Sequence, residues 1–369
     1  MLNRASGLKL VSIAAMALLA GAAQALPVLD LGVASNYSGF FFGNVTKAND
    51  FEGRLAVGGD IKGTAFSAGQ RVPLVNGQAS TAPTVVVGGN VNLQVGTGKN
   101  SYFNSATVEN GSSDKSWNVN GSIGPAKPGV GAGPAAGSNW NKGTVVYGGT
   151  YTGSLNDVDA AHRVKNPSFL DFAAAKTSLQ ALSSSLSKTG TGDGFALGKV
   201  AAAGKGAWTY TLDGGTQKSD FYFFDLGDVA KIKGIDFLNI KEGARIVINN
   251  SKKGAIELSG DLGADTQIVS DASNLGHWRG NVLWNFEHAD KLDVSTFVNG
   301  SILATNADIY KGSGHIEGTL IAKSMSSAVE VGWEPFRNVT AVPEPGTYAM
   351  LLAGLGAIGF MARRRKIGA

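Results

Sequence analysis

Leu55-Ala56-Val57-Gly58-Gly59-Asp60-Ile61, Val85-Val86-Val87-Gly88-Gly89-Asn90-Val91 and Val145-Val146-Tyr147-Gly148-Gly149-Thr150-Tyr151 are three copies of one pattern. Each is a short apolar run, a Gly-Gly pair, a polar residue and a second short run. The pairs begin at 58, 88 and 148, so the copies stand 30 and 60 residues apart. β-Branched and aromatic residues favour strands, and glycine allows the positive φ that a sharp corner demands. A related cadence, Val-Asn-Gly-Ser-Ile, occurs at Val119 to Ile123 and again at Val298 to Ile302. Such repetition predicts a mainly β body, a right-handed β-helix or β-solenoid whose coils each cover the apolar face of the next. A β-sandwich of hairpins has similar turn spacing and is the competing architecture.

Outward from these copies the strand pattern continues. Phe221 to Asp225, Ala244 to Asn249, Val282 to Phe286, Gly300 to Ala304 and Gly318 to Ala322 are the clearest runs. One segment departs from it. Between Phe169 and Leu186, Phe172, Leu179 and Leu186 recur every seven residues, with Phe169, Ala175 and Leu182 beside them. That stripe predicts a single amphipathic α-helix packed along the β body, capped by Ser168 or Asn166 and ended before Gly190. Residues 122–138, rich in Gly, Pro and Ala, read as a loop.

Composition agrees with this class. Of 369 residues 52 are Gly and only 16% are charged, and there is no cysteine, so no disulfide supports the fold. The net charge of +4 belongs to the ends. Arg4 and Lys9 lie near the start, and Arg363, Arg364, Arg365 and Lys366 near the end, leaving the body close to neutral. A neutral body lacks the clustered basic face that nucleic acid requires.

Residues 1–25 read as a signal peptide for Sec-type export, with a basic start, an apolar stretch and the small residues Ala23 and Ala25 at the cleavage site. Residues 26–340 form the body and 341–369 a tail. The tail contains Val342-Pro343-Glu344-Pro345, an uncharged stretch at about 346–362, and the basic cluster Arg363 to Lys366. Seventeen residues of helix reach about 25 Å, close to the thickness of a hydrocarbon core. This predicts a C-terminal transmembrane helix with Arg363 to Lys366 as a cytoplasmic stop-transfer signal. In that order the parts resemble the PEP-CTERM sorting tail of Gram-negative bacteria. The resemblance implies an exosortase as processing partner, transient membrane anchoring, and a host that makes extracellular polysaccharide.

The body carries a second resemblance. Asn36-Tyr37-Ser38-Gly39-Phe40, the Gly53 to Asp60 segment, Asp171 to Ala175, Leu283-Trp284-Asn285-Phe286 and Gly300 to Asp308 are similar to the choice-of-anchor A family, as is Gly318 to Ser324. The likeness covers about residues 30–336. Where that family's Trp-Asn-Phe run continues with Pro-Asp, Glu287-His288 stand here. It implies an exported adhesive domain and no catalytic residues.

No acid–base pair, metal cluster or nucleophile elbow rises above background in the sequence. His162, His277, His288 and His315 are scattered, without metal-ligand spacing, and no Gly-x-Ser-x-Gly elbow occurs. Asp157 and Asp159 lack the further oxygens of a calcium loop. No cofactor or metal is expected. Trp140 and Trp278 are the candidate glycan contacts, whereas Trp284 sits inside an apolar run and reads as core. The expected function is therefore an exported surface or matrix protein acting by adhesion to polysaccharide or a surface ligand. The alternative is a β-helical polysaccharide lyase or glycosidase, for which Asp157 with Asp159, or Glu287 with Asp290, are the carboxylate pairs. An ice-binding surface ranks third, since no regular threonine array is present.

Overall fold

In the computed structural model, residues 27–63, 66–69, 71–72, 80–93, 102–103, 143–153, 162–190, 193–202, 207–263, 270–339 and 355 are described. The larger unit comprises Leu29–Gly190 and Phe195–Asn338. The smaller comprises Met1–Val28, Thr191–Gly194 and Val339–Ala369, of which few residues are described. Among the described residues no helix is long and apolar enough to cross a membrane. The expected signal helix, and all of the expected span at 346–362 except Leu355, lie outside them.

Strands of the larger unit align in three ladders. The first runs from Ala196–Leu197 through Phe221–Asp225, Arg245–Asn249, Val282–Asn285, the start of Ser301–Lys311 and the start of Leu320–Ser326. It continues through Gly39–Phe41, Leu55–Val57, Val85–Val87 and Val145–Tyr147 to Arg163–Lys165. Every neighbouring pair in it is parallel. The second ladder is parallel from Thr209–Asp213 to Tyr151–Thr152, with one antiparallel strand, Lys199–Ala202, on its outer edge. The third joins Phe297–Asn299, His315–Glu317, Glu330–Val331, Asp50–Phe51, Ser67–Ala68 and Tyr102–Phe103, again in parallel. Parallel neighbours exclude a sandwich of hairpins, which needs antiparallel ones.

The order of the first ladder is not the order of the chain. Gly39–Phe41 enters in the middle, and successive strands build outward to Arg163–Lys165. The chain then restarts at the opposite edge and builds inward until Leu320–Ser326 pairs with Gly39–Phe41. On the returning half Ser301 and Thr319, 18 residues apart, occupy equivalent places.

At the repeated corners, successive backbones touch. The Gly88 N–H donates to the Val57 carbonyl (2.7 Å) and the Gly148 N–H to that of Val87 (2.8 Å). A Cβ on Gly88 would lie 2.5 Å from the Gly58 carbonyl oxygen, and one on Gly148 would meet that of Gly88 more closely still. None of the six corner glycines has a positive φ. The expected reason for them is therefore corrected: these glycines admit the neighbouring backbone, and do not serve as left-handed turns. The polar residue after each pair completes the corner. Asn44 Oδ1 accepts from the Asp60 N–H, Asp60 Oδ1 from the Asn90 N–H, and Asn90 Oδ1 from the Thr150 N–H, each at 2.8 Å.

Alternate residues of the ladders fill the interior with Phe41, Leu55, Val57, Val85, Ile302 and their neighbours. The outward positions of the first ladder align Asp225, Asn249, Asn285, Leu303, Ile321 and Phe40 in one row. Helix α1, Phe172–Leu186, lies along it. Phe172 packs on Phe40, with ring centroids 5.4 Å apart. At the other end Asn285 Nδ2 donates to the Ser183 carbonyl (3.0 Å), to Ser187 Oγ (3.1 Å) and to Asn249 Oδ1 (2.9 Å). Ser183 Oγ donates back to Asn285 Oδ1 at 2.6 Å. From Phe172 to Ser187 the axis rises about 22 Å. That matches about five strand spacings of 4.8 Å, from the Leu55–Val57 strand to Arg245–Asn249. Leu179 and Leu186 are buried as the stripe predicts, but Ser183 is buried too, while Phe169 is 41% exposed. The cap is Asp171, which accepts from the Ala174 N–H at 2.9 Å, and not Ser168 or Asn166.

Two outcomes follow from this packing. Gly88→Ala should destabilise by about 1–3 kcal/mol in urea unfolding, because the added methyl meets a fixed carbonyl. Gly63→Ala, whose Cβ would meet nothing within 4 Å, should stay within about 0.5 kcal/mol of wild type. Asn285→Ala should cost about 2–3 kcal/mol by leaving buried polar partners unpaired, and should speed hydrogen exchange in α1 before the ladders.

Candidate functional site

The structure redistributes the expected contact residues. Trp278 is 1% exposed, with its indole N–H donating to the Ala272 carbonyl (2.9 Å) and its ring against Phe237 and His277. A buried ring has no face for a sugar, so Trp278 is corrected to a core residue. Trp284 is fully buried, its N–H donating to the Asn299 carbonyl at 3.0 Å. Trp140, Ala23, Ala25, Asp157, Asp159, Val342 to Pro345 and Arg363 to Lys366 lie outside the described residues. Glu287 is 3.4 Å from His288 and Asp290 faces solvent. Among the described residues no group of three or more His, Cys, Asp or Glu side chains has the placement to hold a metal ion.

One exposed aromatic was not singled out by the sequence. Trp208 precedes the strand Thr209–Asp213 with φ +50°, a left-handed conformation in which a bulky side chain costs about 1–3 kcal/mol. Its carbonyl accepts from the Lys233 N–H at 2.7 Å, which fixes the backbone there. The residue is 41% exposed, and the ammonium groups of Lys231 and Lys233 lie 5.3 and 5.0 Å from the ring centroid. Lys231 is also held by Glu257 at 2.5 Å, and that bond holds the Glu257 carboxyl below the usual range. Beside Lys233 opens a polar cavity of about 250 Å³, lined among others by Thr209, Asp236, Asp261 and Asn274. The one available sequence signal was a tryptophan at a strand entrance; its backbone conformation is invisible in a sequence.

A second cluster lies on the outer side of the third ladder. Arg71 Nη1 is 2.5 Å from Glu52 Oε2 and 3.2 Å from Glu317 Oε1. His315 Nε2 is 2.9 Å from Glu317 Oε2, its Nδ1 3.6 Å from Glu330 Oε1, and its ring stacks on Phe297 at 4.4 Å. Gly332 leaves the space that Glu317 occupies, since a Cβ there would meet Glu317 Oε2 at 2.5 Å. Burial works to raise the Glu317 pKa, but the His315 hydrogen bond and the Arg71 charge outweigh it and hold the carboxyl below the usual range. Burial and the neighbouring Glu317 push Glu52 up, against Arg71. For His315 burial favours the neutral ring, yet the bonds to Glu317 and Glu330 prevail and raise it to about 9. The cluster pins the Arg71 loop to two strands of the third ladder. Its histidine is charged when folded and less so when unfolded near neutrality, so its contribution is complete below pH 6.5 and lost as pH rises through about 9. Unfolding free energy should fall across that window by up to about 3 kcal/mol, and His315→Gln should flatten the profile.

Comparison with known proteins gives two family matches. The profile described as "Putative Ice-binding-like adhesive domain" matches residues 30–138 and 119–333. That of the PEP-CTERM protein-sorting motif matches residues 341–366, the tail so read in the sequence. This motif implies an exported surface protein with a C-terminal anchoring tail that exosortase recognises. No curated protein matches the chain. Among solved structures, an ice-binding protein from an Arctic yeast is 11% identical, with a TM-score of 0.26 over 86% of this chain and 96% of that one. One from the Antarctic ascomycete Antarctomyces psychrotrophicus is 11% identical, with 0.25 over 86% and 100%. One from an Antarctic Flavobacteriaceae bacterium is 15% identical, with 0.24 over 83% and 81%. The adhesive-domain match spans well over half of the 369 residues, and the chain belongs to the ice-binding-like adhesive domain family.

Proposed function

We propose that this protein is a non-enzymatic adhesive or structural component of the cell surface or extracellular matrix of a Gram-negative bacterium. Its three mostly parallel ladders wind as one right-handed β-solenoid of the choice-of-anchor A type. The body is exported through Sec, processed at Pro343-Glu344-Pro345 by an exosortase, and works by binding extracellular polysaccharide in the biofilm matrix. The observation that carries this reading is the presence on one chain of an adhesive-domain match and a sorting motif. The geometry is compatible with it. Lys231 with Glu257, Lys311 with Asp293 and Lys323 with Asp308 pair across strands of the second ladder, so these charges hold one another and do not converge as an acid and a base.

Ice binding is the second reading, favoured by the description of the family. The paired charges on the second ladder weigh against it, because ionic groups hold their own water, and the sequence offers no flat threonine array.

Cells expressing the full chain should attach to, or cohere through, their own polysaccharide more strongly than cells lacking it. The purified protein should bind that polysaccharide without releasing reducing ends. Turnover would replace this reading with the lyase or glycosidase one, and thermal hysteresis in freezing solution with the ice-binding one. Replacing Pro343, Glu344 and Pro345 by alanine should leave export intact and the C-terminus unprocessed, as read by mass spectrometry of the envelope.

A further inference from the structure

We propose that Trp208 and the adjoining cavity form a subsite for one neutral hexopyranose unit of a polysaccharide chain. This deepens the adhesive reading and rests on it. Trp208 is held in a left-handed conformation, at φ +50°, yet is 41% exposed. A strained residue usually persists where packing over-determines it or where function uses it. Here the ring is not buried in the core, so packing offers a weak return for the strain. What the conformation achieves is presentation: the indole lies against the Lys231 and Lys233 ammonium groups at 5.3 and 5.0 Å, and Thr209, next to it in the chain, and Lys233, bonded to its carbonyl, line a polar cavity. Cation–π contacts of this kind hold a ring in one orientation and reduce the freedom lost on binding.

The dimensions and chemistry of the cavity select the ligand class. At about 250 Å³ it is smaller than the range that encloses drug-sized molecules and suits a single sugar ring. Thr209, Asp236, Asp261, Asn274 and Lys233 supply both acceptors and donors, which vicinal hydroxyls require. Asp261 already accepts from the Gly263 N–H at 3.2 Å through Oδ1, leaving Oδ2 for a hydroxyl. The charge excludes an acidic sugar. Lys231 is taken by Glu257 at 2.5 Å, so Lys233 faces two carboxylates and the lining carries a net negative charge. A uronate or sulfated unit would be repelled, whereas the carboxylates would accept hydroxyl protons from a neutral unit while its C–H face stacks on the indole.

Binding of the full chain to gluco-, galacto- and manno-oligosaccharides, with an oligouronate beside them, tests this by calorimetry. At least one neutral series should bind, and the oligouronate should bind at least tenfold more weakly. Trp208→Gly should relieve the backbone strain, leaving the melting temperature equal or higher, yet weaken neutral binding at least tenfold. Trp208→Phe should retain part of the affinity, and Asp261→Asn should reduce it. A purely structural tryptophan would instead give a lower melting temperature in Trp208→Gly with unchanged affinity, and that result overturns the subsite. Stronger binding of the oligouronate overturns the neutral class. Should no oligosaccharide bind while cells still cohere through the chain, the subsite fails and the adhesive reading stands. Should cells lacking the chain also cohere normally, the adhesive reading fails with it.

Discussion

Parallel backbones returning at one strand spacing, about 4.8 Å, are the constraint on which the rest of this structure depends. Side chains can fit that spacing along a straight ladder, because they point inward or outward. Just past the strand ends, at the Gly-Gly pairs, a Cβ would enter the neighbouring backbone. Gly58, Gly88 and Gly148 stand where this happens, with the carbonyl of the preceding coil less than a van der Waals contact from the missing Cβ. The stack then imposes like chemistry on like positions. Asn44, Asp60 and Asn90 each accept from the backbone N–H of the equivalent residue in the next strand pair, the last from Thr150, so side-chain oxygens form a continuous corner seam.

The same constraint explains the helix. A chain that starts in the middle of its own stack must return to that middle and pass beyond it before it can build the other half. The helix runs from Phe40 to Asn249, along the side on which the later strands are laid. A helix of about 22 Å does this in one pass while keeping its backbone hydrogen bonds internal. It also covers outward positions that would otherwise be exposed: Phe40 lies under Phe172, and Asn285 and Asn249 under Ser183 and Ser187. Asparagines at this place let the helix and ladder share bonds with defined geometry, where aliphatic contacts would permit sliding. The arrangement makes the central pairing of Gly39–Phe41 with Leu320–Ser326 very non-local, which is the kind of contact that slows folding.

How much of this was legible follows from what each feature requires. The Gly-Gly copies revealed stacked strands because the constraint acts on residue type at three equivalent corners. They misled about mechanism, since a glycine chosen for close approach looks identical in sequence to one chosen for positive φ. The 18-residue return was hidden because Trp284, Ile302 and Leu320, although stacked, share only apolar character. The helix was visible from Phe172, Leu179 and Leu186, but its buried Ser183 broke the apolar rule through an asparagine on another strand. Glu52, Arg71 and Glu317 meet across a long stretch of chain, so no local pattern announces them. Trp278 was misassigned because a tryptophan next to histidine and arginine resembles a surface segment until its ring is seen against Phe237.

The near-neutral body acquires a physical meaning from these placements. Its charges are answered locally, across strands as with Lys311 and Asp293, or beneath a loop on the outer side of the third ladder as with Arg71 between Glu52 and Glu317. Charge paired at such distances projects little field beyond a Debye length, so a partner is not drawn in from afar by sign. On the adhesive reading proposed above, recognition acts at contact range, through stacking and hydrogen bonds whose geometry the scaffold fixes. A rigid ladder is suited to this, because a side chain at a strand entrance inherits the order of the strands paired behind it. Trp208 occupies such an entrance, and many copies of so small a contact along a polymer would hold by number where one would not.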